Sequence, residues 1–257
     1  MSIHPASPLT TLLTASENQE YNFLMNRAQF LFFGRLNDFL AHDQRDQIIP
    51  VGFRERQSIK HLAESLGVPH PEIGQVLVND REGTLNTITQ DGDRVEVHPV
   101  PNGFAGELRF VLDNHLGRLA AYLRMLGFDC LYENDYDDEE LAEIVQNEGR
   151  ILLSRDRRLL MRKIVSHGYC LRSLDSVEQL REVVERFDLA KRISPFHRCL
   201  RCNHLLEPVS KEMVLDRLEP LTKLYFNEFK ICPACKQVYW KGSHYEKMQK
   251  LIAETNE

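Results

Sequence analysis

The chain lacks any run approaching the roughly 18 apolar residues that a membrane-spanning helix needs, which speaks against a helical membrane protein and against a membrane partner. It also lacks a positive charge ahead of its early apolar cluster, residues 9–13, so no secretory leader is expected and the expected compartment is the cytoplasm. Cysteine is sparse. Six in 257 residues do not suggest a disulfide framework, and four of the six are spaced as metal ligands, which suits a reducing compartment. No basic excess is present either: the formal charge is −6, and a pI near 6 normally argues against a nucleic-acid partner, because phosphate contacts come from Lys and Arg. What remains, 42% hydrophobic and 27% charged, is ordinary folded composition in a chain long enough for two domains or for one with appendages.

The charge is unevenly spread. Residues 1–106 hold 8 basic against 13 acidic side chains, residues 107–190 hold 12 against 17, and residues 191–257 reverse the sign with 12 against 8. Salt screens each charge beyond about 8–10 Å, so local clusters matter more than the total. One such cluster, Arg150, Arg155, Arg157, Arg158, Arg162 and Lys163, surrounds Asp156. It reads either as a solvated helix face or as a set of phosphate contacts.

Residues 108–113, Leu-Arg-Phe-Val-Leu-Asp, form an apolar run that ends on a carboxylate and leads into a helical pattern. Leu116, Leu119, Ala120, Leu123 and Leu126 share one helix face, and Gly127 is the expected stop. The pattern repeats: a strand over 128–132, then a helix opening at Asp137 or Asp138, carrying Leu141, Ile144 and Val145 and ending at Gly149. A third strand, 151–153, delivers Ser154-Arg155-Asp156, and a helix marked by Leu159, Leu160, Ile164 and Val165 closes at Gly168. A fourth strand, 169–171, precedes a helix from Asp175-Ser176-Val177-Glu178, which has capping-box spacing, through about residue 187. Four strands alternating with four helices predict an α/β domain with a doubly wound parallel sheet. Such sheets bind ligands beyond the carboxyl ends of their strands, where Asp113 sits.

Residues 1–27 show no period and are expected to be a tail. Beyond them come strands at 29–33 and 48–53, a helix over 58–66 stopped by Gly67, a strand at 76–79, and another at 94–100 after the Asp91-Gly92-Asp93 turn. Strand, strand, helix, strand, strand is the order of a β-grasp, here over 28–102. The stretch resembles the ubiquitin-like sulfur carriers in Ser58-Ile59-Lys60-His61-Leu62, Gly67-Val68-Pro69-His70, Val76-Leu77-Val78-Asn79 and Gly92-Asp93-Arg94-Val95. Those carriers end in Gly-Gly, whose carboxylate is their chemical handle. This strand instead runs on into Val100-Pro101-Asn102-Gly103-Phe104, so the expected role is packing or the binding of a protein partner. Asn102-Gly103 and Gly106 predict a linker.

Toward the carboxyl end stand Cys199-Leu200-Arg201-Cys202 and Cys232-Pro233-Ala234-Cys235. Two C-x2-C turns can aim four thiolates at one Zn²⁺, and a site closed by four thiolates predicts structural rather than catalytic zinc. The 29 residues between them exceed the usual spacing and predict an inserted helix over 211–218. His197, His204 and His244 are substitute ligands that a complete Cys₄ set does not need. Tyr239-Trp240-Lys241-Gly242-Ser243-His244-Tyr245 reads as a stacking surface with basic groups or as the core of a small domain. Residues 191–257 are thus expected to form a zinc ribbon with a C-terminal helix.

Together these pieces resemble a known family, the Mut-seven C-terminal RNase domain, a PIN-like nuclease with an attached zinc ribbon. The resemblance rests on Asp113-Asn114-His115-Leu116-Gly117-Arg118-Leu119-Ala120, Leu123-Arg124-Met125-Leu126-Gly127-Phe128-Asp129, Asp137-Asp138-Glu139-Glu140-Leu141, Arg150-Ile151-Leu152-Leu153-Ser154-Arg155-Asp156, both knuckles, and Tyr239-Trp240-Lys241-Gly242-Ser243-His244. It covers about 107–250, and a ubiquitin-like companion is known in such proteins. The family's third-strand motif often begins with Thr; Ser154 keeps the hydroxyl.

The resemblance implies a PIN-like domain over 107–190 and a metal-dependent ribonuclease acting on RNA phosphodiesters. In-line water attack needs charge stabilised on the attacking and leaving oxygens, which Mg²⁺ or Mn²⁺ held by carboxylates can supply. The expected catalytic acids are Asp113, Asp138 and Asp156, and the expected RNA contacts are Arg155, Arg157, Arg158 and Lys163. Competing readings stay open: Asp113 and Asp156 as turn residues, Asp138 as a plain N-cap with Asp137 as the acid, Asp175 as a fourth acid or a cap. Cys130 and Cys170 are expected in the core. Two other functional classes compete. One is a catalytically silent RNA-binding or adaptor protein using the ribbon and the β-grasp. The other is a phospho-accepting receiver, which wants an acidic pair near the start and a Lys after the last strand; the chain offers no such Lys.

Overall fold

A computed structural model describes residues 25–242, which divide into two compact units: residues up to 66 with 75–98, and 67–74 with 99 onward. Most of the expected tail, Ser243-His244-Tyr245 and the expected C-terminal helix lie outside the described residues.

In the first unit, β1 (Asn26–Phe32) buries Ala28, Phe30 and Phe32, and β2 (Ile49–Phe53) buries Ile49, Val51 and Phe53. A period of two means that one sheet face carries the core. Helix α1 (Ile59–Ser65) is capped by Ser58, whose Oγ accepts the His61 N–H at 3.3 Å, and it buries Ile59, Leu62 and Ala63. Strands β3 (Ile73–Val78), β4 (Arg81–Gly83) and β5 (Arg94–Pro99) complete a sheet of order β2-β1-β5-β3-β4, with β1 parallel to β5. This is the expected β-grasp with an extra hairpin. Asn79 (φ 51°) and Asp80 (φ 64°) make the two-residue turn from β3 to β4, an arrangement that Asn and Asp tolerate best after glycine. The expected turn region between β1 and β2 holds two 3-10 turns, Gly34–Phe39 and His42–Gln44, the first of which brings Leu36 and Phe39 into the core.

The second unit is built on β6 (Arg109–Leu112), α2 (Gly117–Met125), β7 (Asp129–Leu131), α3 (Asp138–Glu148), β8 (Ile151–Ser154), α4 (Arg157–Leu160), β9 (Gly168–Cys170) and α5 (Ser176–Phe187). All four strands are parallel, in the order β7-β6-β8-β9. Phe110, Leu112, Ile151 and Leu153 face α2 and α5, while α3 lies against β6 and β8 and α4 against β8 and β9. The chain steps from β6 to one side and then back past it, so the winding reverses between β6 and β8. A crevice forms at the carboxyl ends of strands at such a reversal. Cys130 and Cys170 are buried, as expected.

Several details differ from the sequence reading. The helix expected through Val165 is a single turn, because beyond Met161 the main-chain bonds (Arg162 N to Leu159 O, Val165 N to Arg162 O) are three-residue turns that return Val165 to the core. Gly168 is therefore no helix stop. It opens β9, where a Cβ would lie 2.6 Å from Leu160 Cδ2, so it serves close packing. The expected linker is pinned: Gly103 N donates to Arg186 O at 2.8 Å, and the Arg186 guanidinium donates to Pro101 O and Gly103 O. Residues 67–74 also belong to this unit, with Glu72, 1% exposed, accepting from Cys170 N and the Arg172 guanidinium.

The carboxyl end adds β10 (Glu207–Val209), α6 (Lys211–Val214), α7 (Pro220–Tyr225), β11 (Phe229–Ile231) and β12 (Val238–Trp240), with an antiparallel sheet of order β10-β11-β12. The helix expected over 211–218 ends at Val214 in a 3-10 turn, and Pro220 starts the separate α7 from its first position.

Candidate functional site

Asp113 follows β6 directly, and its N–H continues the ladder to Leu153 O at 3.1 Å. The Ser154 hydroxyl at the end of β8 donates to Asp113 Oδ2 at 2.7 Å and accepts the Asp156 N–H at 2.8 Å. One fully buried oxygen thus fixes the spacing of two strand-end acids. Asp156 Oδ1 also accepts the N–H groups of Arg158 and Leu159, capping α4. Across the crevice the N-cap of α3 is Asp137, which accepts from Glu139 and Glu140 while Glu140 accepts from Asp137 N, a reciprocal capping box. Asp138, one residue on, is not needed as a cap. Asp113, Asp138 and Asp156 line one cleft of about 330 Å³ together with Asn114, His115, Leu116 and Arg155. Asp175 caps α5 and is not part of this lining.

The four thiols of Cys199, Cys202, Cys232 and Cys235 form a different constellation, with sulfurs all within 4.8 Å of one another. Cys199 and Cys235 are 3.5 Å apart and Cys202 and Cys232 3.4 Å, far beyond a disulfide and close to the roughly 3.8 Å between thiolates arranged tetrahedrally at about 2.3 Å from zinc. The cluster fits a Zn²⁺ ion. Burial raises the Cys199 thiol, but hydrogen bonding from the Tyr239 hydroxyl and nearby main-chain N–H groups outweighs it and brings the pKa down to about 6. Tyr239 is therefore part of this site, and Trp240 packs beside Phe229; neither forms a free stacking surface. The cluster contains no histidine: His204 only approaches Cys202 O with its Nδ1, and His244 lies outside the described residues.

A family model described as the Mut7-C RNAse domain matches residues 108–252, more than half of the sequence, with the acidic cleft and all four cysteines inside the match. The chain belongs to the Mut7-C RNAse domain family. A second model, Mut7-C ubiquitin, matches residues 25–104, in agreement with the β-grasp. A Homo sapiens protein named "Exonuclease mut-7 homolog" is 31% identical over 149 residues, which is 55% of this chain and 15% of that protein. The chain therefore spans a small part of that relative. No solved structure matches. The Mut7-C RNAse match and this relative together support a nuclease.

Within the Mut7-C domain the basic cluster read from the sequence comes apart. Arg155 lines the cleft, and Arg157, Arg158 and Lys163 are exposed on and just after α4. Arg150 does not surround Asp156: it precedes β8, at the opposite end of that strand, and is 6% exposed, bound to Asp129, Glu148 and Phe110 O. Arg162 grips Glu139 with both terminal nitrogens and Asp138 O with one, fastening the turn after α4 to the start of α3. Sequence reasoning assigned no role to His115 or Asn114, although both stand in the motif that follows Asp113; their exposure to the cleft depends on the turn after β6. No helix among the described residues is long and apolar enough to cross a membrane.

Proposed function

We propose that the chain is a metal-dependent ribonuclease that hydrolyses RNA phosphodiester bonds in the cleft of the Mut7-C domain. The observation that carries this reading is the convergence of Asp113, Asp138 and Asp156 on one cleft at the winding reversal of a parallel sheet. The donor set is oxygen-rich and suits a hard cation; Asp113, Asp156 and Asp138 would hold Mg²⁺ or Mn²⁺. Such an ion would offset charge on the attacking and leaving oxygens of the phosphodiester. Ser154, through its bonds to both strand-end acids, holds their spacing before any ion arrives. Arg155 on the cleft wall, with Arg157, Arg158 and Lys163 near by, would hold the RNA backbone by phosphate contacts. The four cysteines would hold zinc as a scaffold, since four thiolates leave no position for a substrate. The β-grasp unit would bind a protein partner.

The deciding experiment is a Mn²⁺ titration of the zinc-loaded protein followed by spin resonance, paired with cleavage of a labelled single-stranded RNA. Saturable Mn²⁺ binding lost in Asp113→Asn, with cleavage lost in parallel, is expected. RNA binding without cleavage, at any Mg²⁺ or Mn²⁺ concentration, would replace this reading with that of an adaptor.

A further inference from the structure

Among the described residues strand β7 has one strand neighbour, β6, and both main-chain groups of its central residue are taken by side chains. Cys130 N–H donates to Asn203 Oδ1 at 3.1 Å, and Cys130 O accepts from Arg124 Nε at 2.9 Å. Arg124 extends from α2, is 4% exposed, and reaches farther. Its Nη1 donates to Leu200 O at 3.1 Å and Arg201 O at 2.9 Å, the two residues enclosed by the first C-x2-C turn, and its Nη2 lies 3.5 Å from Tyr132 O. Asp129 adds a second fastening, accepting from Asn203 at 2.8 Å and pairing with Arg198 at 3.4 Å on either side of the same turn.

Beyond β7 the link continues to the cleft. The Tyr132 hydroxyl donates to Asn114 O at 2.8 Å. Its ring lies so close to the first residue of α2 that a Cβ on Gly117 would sit 2.8 Å from Tyr132 Oη and 2.9 Å from Cζ. Asn114, His115 and Leu116, between Asp113 and Gly117, line the cleft.

We infer that Arg124 and Tyr132 are positioning residues of the acidic cleft: Arg124 clamps the first cysteine turn to β7, and Tyr132 transmits the place of β7 to the 114–117 turn. The inference rests on the reading of that cleft as the nuclease site. A metal ion that fixes Cys199 and Cys202 would fix the carbonyls of Leu200 and Arg201 between them, and so the guanidinium that they hold. Loss of the ion would then loosen a turn on the cleft wall while leaving the central strands in place.

The test is hydrogen exchange on the full chain, zinc-loaded and after chelation, in the wild type, Gly117→Ala, Tyr132→Phe and Arg124→Lys. Gly117→Ala displaces the tyrosine and Tyr132→Phe removes only its hydroxyl, so both keep the core should Arg124→Lys fail to fold. Amides of residues 114–117 should exchange about tenfold faster in each folded variant and in the chelated wild type, the scale of one lost hydrogen bond. Exchange in β8 should not change, and both Gly117→Ala and Tyr132→Phe should keep their zinc. On single-stranded RNA, kcat should fall about tenfold with KM nearly constant. Wild-type exchange at 114–117 in both Gly117→Ala and Tyr132→Phe would overturn the inference, as would a lowered melting temperature as their sole change. The exchange result stands by itself: should the wild type cleave no RNA, the nuclease reading fails while the coupling is still decided.

Discussion

The four-cysteine cluster takes its ligands from two short turns and brings all four sulfurs within 4.8 Å of one another, whereas the acidic cleft takes its carboxylates from the ends of β6 and β8 and the first turn of α3. The thiols meet because each C-x2-C turn aims two side chains inward, a local property of four residues. The carboxylates meet because three elements separated by up to 43 positions in the chain are packed on one sheet. Among the described residues, the cysteines form a preassembled ligand cluster; the three acids share a cleft without closing on one another. A site closed by its own turns suits a scaffold. A site left open by a sheet keeps room for a substrate.

The comparison breaks most severely at the cysteines. Cys202→Ser or Cys232→Ser should reduce the zinc content from about one equivalent to none and unfold the carboxyl-terminal part, because the binding free energy of a structural zinc, on the order of 10 kcal/mol, is folding free energy. Metal analysis and circular dichroism check this, and normal zinc content in both variants would refute the site. The acids should behave in the opposite way. Asp113→Asn and Asp156→Asn should each lower kcat on single-stranded RNA on the order of 100-fold or more, with melting temperatures equal to or slightly above wild type. Neutralising one of several clustered carboxylates relieves repulsion, and Asn at 156 still caps α4. Wild-type cleavage rates in both variants, in a preparation free of contaminating ribonuclease, would sink the nuclease reading.

A finer contrast lies between adjacent residues. Asp137→Ala removes the capping side chain and should cost about 1 kcal/mol of stability with little loss of rate, whereas Asp138→Asn should lose rate with little loss of stability. Thermal melts and kcat on the same two proteins measure the pair, and exchanged effects would move the third acid to Asp137. The smallest effect is expected at Arg155→Ala: KM raised a few-fold, kcat nearly kept, and the slope of log affinity against log salt reduced by about 0.7 for a single-stranded RNA. An unchanged salt slope would remove Arg155 from the phosphate contacts.

Much of this molecule could be read in the residues themselves, and the exceptions are informative. The strands of the parallel sheet, the Gly127 and Gly149 helix ends and the Asp175 cap follow from apolar runs and short-range backbone chemistry, and the structure keeps them. The helix after Asp156 is shorter than its apolar spacing predicts. Leu159, Leu160, Ile164 and Val165 have helical spacing, but Val165 is buried by a turn that returns to the sheet, so the spacing reports burial there and not helix. Arg150 and Asp156 lie at opposite ends of β8, which a basic run in the sequence does not show, since it says nothing of which end of a strand each side chain occupies. The hairpin through Asn79-Asp80 leaves no mark in the sequence, because its second strand is three residues long and exposed, with no apolar alternation.

By itself, then, the sequence determined what is local: the alternation of strands and helices, the β-grasp order, the four-thiol set, and the identity of the acids that end β6 and β8. Each of these depends on residues within one or two turns of chain, where spacing and geometry are the same thing. Only the tertiary structure decided that Asp138 shares a cleft with Asp113 and Asp156, that Ser154 ties Asp113 to Asp156, and that Arg124 joins the first cysteine turn to β7. Those facts depend on the winding of the sheet, which sets far-apart strand ends side by side. No one-dimensional pattern records that distance.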